Sequence, residues 1–543
     1  MTSLADAVGQ TLSDCGVRHA FGVVGNGNMS AVTALTDHGV RYLSARHEGG
    51  AIAMADAYYR TTGEPAVCTT TFGPGLTNAA TGLADAVKQA SGVLLLCGDA
   101  PSSGARRIDI DQAAFAASLG VPAFRLTDLA TVRADTAAAL ETARSGPGPV
   151  MLSLPVDLMD APVPEETSPL VPRAGRRPAA RPEPARVEVV RRALQEAERP
   201  LLLAGLGAWR SGAGKLLADL ADRTGALLAT TVMASGLFAG NPWCLGVCGN
   251  LSGPEVASVV GDADLVVAFG AGLNEWTLHG GSLLGPDTRL VQIGTGARAT
   301  SDRVDEFIAA DASETASALL DSVSGAHSAP DTWRARTTGL RPGTPGPHED
   351  AGTADRIDPR TLSAALAGLL PAERTLVTDG GHFVGWPWMY WPVPDPSAAV
   401  FTGAAFQSIG LGLAGAVGAA VGRSDRTTVA ALGDGGALMG LPDLETLVRA
   451  AHSALVVVYN DAAYAAEVHR FAPTGAALDS AVFEDCDFAG VARALGAEAV
   501  TVRRTEDLAP VRAWRDRGYR GVLLLDCRIT REVVGEYWPT SHT

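Results

Sequence analysis

A glycine-rich turn with one carboxylate in it, Gly433-Asp434-Gly435-Gly436, is the stretch with the clearest chemistry. It follows an apolar run at residues 427–432 that reads as a buried parallel strand. A helical pattern comes next, with Leu441, Leu444, Leu447, Val448 and Ala451 at helical spacing. A second apolar strand, 454–459, ends on Asn460-Asp461. This is a βαβ unit with an acid at the C-terminal end of its first strand and an amide at the end of its second. Open parallel sheets bind ligands at that edge. Asp434 and Asn460 offer the oxygen ligands that Mg²⁺ prefers. Gly433, Gly435 and Gly436 carry no side chains, so backbone N–H groups can approach phosphate oxygens. Alone, the turn reads equally well as an ordinary strand–helix connection. Asn460, about 26 residues on at the equivalent strand end, turns the reading toward a hard metal ion with a diphosphate.

The elements that must position these residues are laid out over 543 residues, length for three or so domains at ~150 residues each. Residues 1–160 alternate strand and helix, and 161–184 are Pro- and Arg-rich without periodicity, a connector. Residues 185–325 form a second α/β unit, 326–355 a Gly/Pro-rich linker, and 356–543 a third unit. The expected fold class is α/β, with three doubly wound parallel-sheet domains. The first and third units share a strand–helix rhythm that suits a duplicated fold. In the central unit Gly205-Leu206-Gly207 and Gly270-Ala271-Gly272 lack the full dinucleotide fingerprint and read as structural turns.

The formal charge of −16 argues against nucleic acid or an anionic membrane as partner. Seven scattered cysteines complete no zinc pattern and read as free thiols in a reducing compartment, so a cytoplasmic location is expected. The N-terminus lacks the basic-then-apolar order of a signal peptide. An uncharged run at 398–422 has the length of a membrane span, but its repeated glycines read as a buried helix against a sheet. The aromatic run FVGWPWMYW at 383–391 suits a lid over an apolar substrate or an interface.

GDG followed at this distance by N-D resembles the thiamin diphosphate motif. In that family the Asp, the Asn and a backbone carbonyl two residues later hold Mg²⁺ on the diphosphate. The resemblance implies these roles for Asp434, Asn460 and Ala462. A second match stands far upstream. Arg46-His47-Glu48 is similar to the family's pyrimidine-domain segment, whose glutamate hydrogen-bonds a nitrogen of the aminopyrimidine. A carboxyl facing a ring nitrogen in a closed cleft can shuttle a proton to it, and the cofactor carries the hard chemistry. Standing alone, Glu48 reads as a helix N-terminal carboxylate. Phe72-Gly73-Pro74-Gly75-Leu76-Thr77-Asn78 resembles the loop beside the pyrimidine, which brings in Asn78. Ala405–Gly410 resembles the segment with a bulky apolar wedge under the cofactor, which matches Ile409 next to Ser408. Gly381 and His382, ending a strand, stand where they approach the diphosphate, and Gln112 stands where acetolactate synthases carry a glutamine near the substrate.

The pattern looks most like the acetolactate synthase branch. It implies decarboxylation of a 2-oxo acid, pyruvate first, and joining of the carbanion to a second carbonyl compound, a transferase or lyase reaction. Departures are Val24 for the usual Pro, Phe72 for a small residue and Ala113 after Gln112. GAGLNEWT and QIGTGARA stand where FAD-binding members are Arg- and Asp-rich, so FAD is not expected. His469 and Tyr464, after the metal motif, read as groups that handle an acceptor proton or as surface residues. Alternatives are an aldehyde lyase or carboligase, a simple 2-oxo acid decarboxylase, or a silent cofactor-binding regulatory protein. In this family the cofactor lies between two subunits, which implies a homodimer or homotetramer.

Overall fold

A computed structural model describes residues 2–146, 148–164, 179–323, 329–340, 343 and 346–538. Three six-stranded sheets organise the chain, and every strand pair in them is parallel. The first holds β1 (His19–Gly22), β2 (Arg41–Ser44), β3 (Ala66–Thr70), β4 (Val93–Asp99), β5 (Ala123–Arg125) and β6 (Val150–Pro155) in the order β2-β1-β3-β4-β6-β5. The central sheet holds β7 (Pro200–Ala204), β8 (Leu227–Thr230), β9 (Cys244–Val247), β10 (Leu265–Phe269), β11 (Arg289–Gly294) and β12 (Glu306–Ala309), ordered β12-β11-β10-β7-β8-β9. The third holds β13 (Arg374–Thr378), β14 (Ala399–Phe401), β15 (Thr427–Gly433), β16 (Ser453–Asn460), β17 (Glu498–Val502) and β18 (Gly521–Arg528), ordered β14-β13-β15-β16-β18-β17.

Counted from its own first strand, the third sheet repeats the order of the first, the duplication that the sequence rhythm predicts. In both, the order reverses between the first and third strands. A crevice opens there at the strands' carboxyl ends, where α/β sheets bind ligands. In the third sheet that crevice lies between β13 and β15, the strands that lead into Asp379 and Asp434. Central strands such as β4, β15 and β16 are apolar and covered on both faces, as parallel sheets require.

The first and third units meet through the helices Glu48–Thr62 and Gly412–Gly422. Glycine makes this contact close: a Cβ on Gly418 would lie 2.1 Å from the Met54 carbonyl oxygen, and one on Gly422 2.7 Å from Thr61. The uncharged run at 398–422 is therefore buried, but not as one helix. It forms β14, a turn and then the helix. Gly403, Gln407 and Gly410 hold positive φ of 73°, 58° and 91°, which no helix interior tolerates. Among the described residues no helix is long and apolar enough to cross a membrane.

Two expectations are corrected. The aromatic run is no lid, since Trp386, Trp388, Tyr390 and Trp391 are all buried, in a core cluster that also takes in Leu251 of the central unit. Trp391 donates to the Ser363 carbonyl and Trp388 to Thr378. The stretch predicted as the second linker contains the helix Asp331–Ala335, whose buried Trp333 donates to the Pro200 carbonyl on β7. Most of the first linker, 165–178, lies outside the described residues.

In the central unit the glycine strand ends are used up in packing. A Cβ on Gly205 would meet Ala271 Cα at 2.3 Å, and one on Gly270 would meet Ala208 N at 2.4 Å. The seven cysteines are free thiols.

Candidate functional site

Asp434 opens a short helix directly after β15 and is 2 % exposed. Its Oδ1 accepts the Gly435 N–H at 2.8 Å, while Oδ2 is buried with no partner. Asn460 ends β16, fully buried. Its amide Nδ2 donates to Asp526 Oδ1 at 2.9 Å and to the Cys486 carbonyl at 3.3 Å. Its Oδ1 is likewise buried and unpartnered. A polar atom left bare in a protein interior costs ~1–3 kcal/mol, so two acceptor oxygens in this state at neighbouring strand ends call for a donor or a cation. Ala462 sits at φ +56° and turns the chain after Asn460. Its carbonyl accepts from Arg531 Nη2 at 3.1 Å and from the Phe483 N–H at 3.0 Å, which uses both lone pairs. Arg531 also holds the Asp461 carbonyl, and Arg356 holds that of Asn460.

Burial pushes the Asp434 carboxyl up, and burial followed by the nearby Asp434 pushes up that of Asp461. Among the described residues no three His, Cys, Asp or Glu side chains group as a metal site. The two bare oxygens, one carboxylate and one amide, fit Mg²⁺, which keeps its other positions for phosphate oxygens and water.

The glycines around this set form a cradle. A Cβ on Gly435 would lie 2.5 Å from the Tyr464 ring, and one on Gly436 2.7 Å from Asp379 Oδ2. Gly433 packs on the Phe383 ring. Across the crevice, Gly381 has φ +136°, and Gly380 lies beside Ile409 and the Ser408 carbonyl. Ile409 is 44 % exposed, high for an isoleucine, and its side chain reaches Gly436. Ser408 Oγ is buried without a partner. Asp379 Oδ2 accepts the Gly410 N–H at 2.8 Å, which ties the Ile409 loop to β13, and burial raises this carboxyl to about 6.

His382 and His469 lie side by side with their rings tilted by 53°, ring centroids 4.4 Å apart. His382 Nε2 accepts the Gly535 N–H at 3.1 Å, which fixes the neutral ring with its proton on Nδ1. Burial, with His469 beside it, lowers its pKa to about 3. His382 is therefore a buttress between the crevice and the C-terminal strap, where Tyr537 donates to its carbonyl at 2.6 Å. His469 is half-buried with Nε2 unpartnered. Tyr464 is 42 % exposed at the rim.

The upstream half stands on the first sheet. Glu48 is the first residue of its helix and is 8 % exposed. Its Oε2 accepts from Asn78 Nδ2 at 3.0 Å, and Oε1 faces the side of Gly75 where a Cβ would stand, 3.4 Å away. Gln112 opens the helix Gln112–Ser118 and is buried. Its Nε2 donates to the Gly98 carbonyl and Asp99 Oδ1, its Oε1 accepts from the Cys97 thiol, and the side chain is 4 % exposed. Placed so, the amide braces the loop after β4. Phe72 fills the space near Gly27, with Arg106 stacked on its ring at 4.0 Å.

Sequence reading missed Asp526, Arg356 and Arg531, which hold the Asn460–Ala462 loop in shape. Asp526 had a signal, as one acid in the apolar strand LLLDC.

The description "Thiamine pyrophosphate enzyme, N-terminal TPP binding domain" matches residues 2–118. The central-domain description of the same family matches 187–319, and the C-terminal TPP binding domain 379–527. An acetolactate synthase of Arthrospira platensis is 28 % identical over 95 % of this chain and 92 % of its own. A sulfoacetaldehyde acetyltransferase of Castellaniella defragrans is 26 % identical over 93 % and 89 %. A probable acetolactate synthase large subunit of Methanocaldococcus jannaschii is 28 % identical over 82 % and 77 %. The solved structure of a thiamine diphosphate-dependent 4-hydroxybenzoylformate decarboxylase from Rhodococcus jostii superposes with a TM-score of 0.82 at 21 % identity, covering 99 % of this chain and 100 % of that one. With both TPP-binding domains and the central domain matched in order, the chain belongs to the thiamine pyrophosphate enzyme family, in its acetolactate synthase-like branch.

Proposed function

We propose that this protein decarboxylates a 2-oxo acid, with pyruvate the first candidate, and joins the two-carbon fragment to a second carbonyl compound. The observation that carries the reading is the pair of bare, buried oxygens, Asp434 Oδ2 and Asn460 Oδ1, at the edge of a glycine cradle. These atoms would hold Mg²⁺, with the Ala462 carbonyl joining them on giving up one of its two present donors, and the Gly433–Gly436 and Gly381 backbone would lie against the diphosphate. Thiamin diphosphate, when bound there, supplies a carbon nucleophile and an electron sink for the electrons left by CO₂. Ile409 would prop the cofactor from below. Glu48, oriented by Asn78, would hold and return a proton at the pyrimidine ring nitrogen. His469 Nε2, buried and unpartnered beside His382, would serve the acceptor's proton, and Tyr464 would line the rim.

That bare imidazole favours one second reading, an aldehyde lyase or carboligase, which needs the same proton handling on an aldehyde. In either case the pyrimidine and diphosphate halves would come from two protomers. Incubating the protein with thiamin diphosphate, Mg²⁺ and a panel of 2-oxo acids and aldehydes, with mass spectrometry of the products, tests the proposal. Coupled products from pyruvate support it. CO₂ release without coupling points to a simple decarboxylase, and no turnover of any 2-oxo acid or aldehyde refutes both readings.

A further inference from the structure

The loop between β14 and the Gly412–Gly422 helix carries Ser408 and Ile409, yet it is gripped from the other domain. Asp85, on the helix Ala80–Lys88 of the first unit, is 2 % exposed. Its Oδ2 accepts the Gly403 N–H at 3.0 Å and its Oδ1 the Phe406 N–H at 3.1 Å. Two cations assist from the same unit: Arg60 donates to the Phe401 carbonyl at 3.0 Å, and Lys88 stands 5.9 Å from the centre of the Phe406 ring.

Apolar burial does little to fix this loop, because Ala405, Phe406, Gln407 and Ile409 are all exposed. Gly403 and Gln407 hold it in left-handed conformations, and its far end is tied by Asp379 to Gly410. A buried carboxylate with two charge-assisted bonds to backbone of another domain costs desolvation, and its return is a defined position rather than net stability.

We infer that Asp85 is a positioning residue that latches the Phe401–Phe406 turn and so presents Ile409 to the crevice at the height a bound cofactor needs. The inference rests on the functional reading above. It also links two parts of the chemistry. Asn78, which holds Glu48, ends the helix Pro74–Asn78, and Asp85, which holds the wedge loop, lies in the next helix, Ala80–Lys88, so these two consecutive helices would set both.

The test compares wild type with Asp85→Asn, which keeps one acceptor oxygen, and Asp85→Ala, which keeps none. Hydrogen exchange of the peptide spanning residues 402–410 is measured without cofactor, together with thiamin diphosphate affinity in Mg²⁺ by calorimetry and the melting temperature. The expected result is graded: faster exchange in that peptide, with cofactor Kd raised about tenfold in Asp85→Ala and less in Asp85→Asn, the scale of lost charge-assisted hydrogen bonds. Unchanged exchange in both variants overturns the latch, and so does faster exchange with unchanged Kd. Should Asp85→Ala not fold, the isosteric Asp85→Asn decides alone by the same criteria. If wild type takes up no thiamin diphosphate at all, the functional reading fails and the latch's proposed purpose with it. Wild-type uptake with unaltered affinity in the variants sinks the latch alone.

Discussion

Glu48 has one oxygen committed to Asn78 and one facing the bare side of Gly75, the state of a carboxyl placed to meet a ligand. Replacing it with Gln keeps size and polarity but removes the exchangeable proton. Glu48→Gln is expected to fold and take up thiamin diphosphate normally while decarboxylation falls by roughly 10²- to 10⁴-fold, the usual worth of a positioned acid–base group. Unaltered CO₂ release in a coupled assay would remove Glu48 from the chemistry. Asp526 acts one step back. It accepts the Asn460 amide N–H and so orients Oδ1 toward the position proposed for the metal. Asp526→Ala is expected to weaken Mg²⁺-dependent cofactor uptake by roughly 10- to 100-fold, as for other groups that orient a metal ligand. Calorimetry at fixed cofactor and varied Mg²⁺ reads this, and equal affinity would show that Asn460 needs no such holder. Residues with a chemical type at a strand end, such as Asp434, Asn460 and Glu48, were legible in the sequence. Asp526, Arg356, Arg531 and Asp85 were not, because their role lies in contacts with backbone far along the chain. The bonds of the Gln112 amide to Gly98, Asp99 and Cys97 were hidden for the same reason.

The elements divide in the same way. Long apolar strands such as β4, β15 and β16 were readable as continuous hydrophobic runs. The sequence reading passed over β5, β9, β12, β14 and β17, which lie toward the sheet edges, and the four-residue β8, since short or half-exposed strands leave little pattern. Nor did the aromatic run reveal that it faces inward. The C-terminal strap depends on one protonation state. His382 can accept the Gly535 N–H only while Nε2 is bare. Its pKa is lowered from 6.5 to about 3 by burial and by His469, so the folded state favours the neutral ring. That contribution to stability is complete above about 6.5, the unfolded value, and is lost as pH falls toward 3. Exchange at 531–538, corrected for intrinsic rates, should therefore rise across that window in wild type. His382→Asn, which cannot protonate, should show no such rise. An identical pH dependence in both proteins would place the acid sensitivity elsewhere.

At the scale of the whole molecule, the first and third sheets share one topology, with Glu48 in the connection after β2 of the first and Asp434 directly after β15 of the third. Within one chain these units join through the Glu48–Thr62 and Gly412–Gly422 helices, a contact made close by Gly418 and Gly422. The hydrogen-bond partner of the Glu48 carboxylate is Asn78 of its own unit, and the Ile409 and Tyr464 side of the third unit stays exposed. Both facts suit a site closed by a second protomer, and that arrangement makes a prediction independent of any substrate's identity beyond a measurable turnover. Glu48→Gln and Asp434→Ala are each expected to be inactive. In a two-fold dimer whose sites combine Glu48 of one protomer with Asp434 of the other, a mixed dimer of the two variants holds one doubly damaged site and one intact site. Random pairing makes half the dimers mixed, so co-expressed or co-refolded variants should regain about a quarter of wild-type activity. If Glu48 and Asp434 instead served one site within a chain, every site in the mixture would carry a lesion and activity would stay at the level of the separate variants.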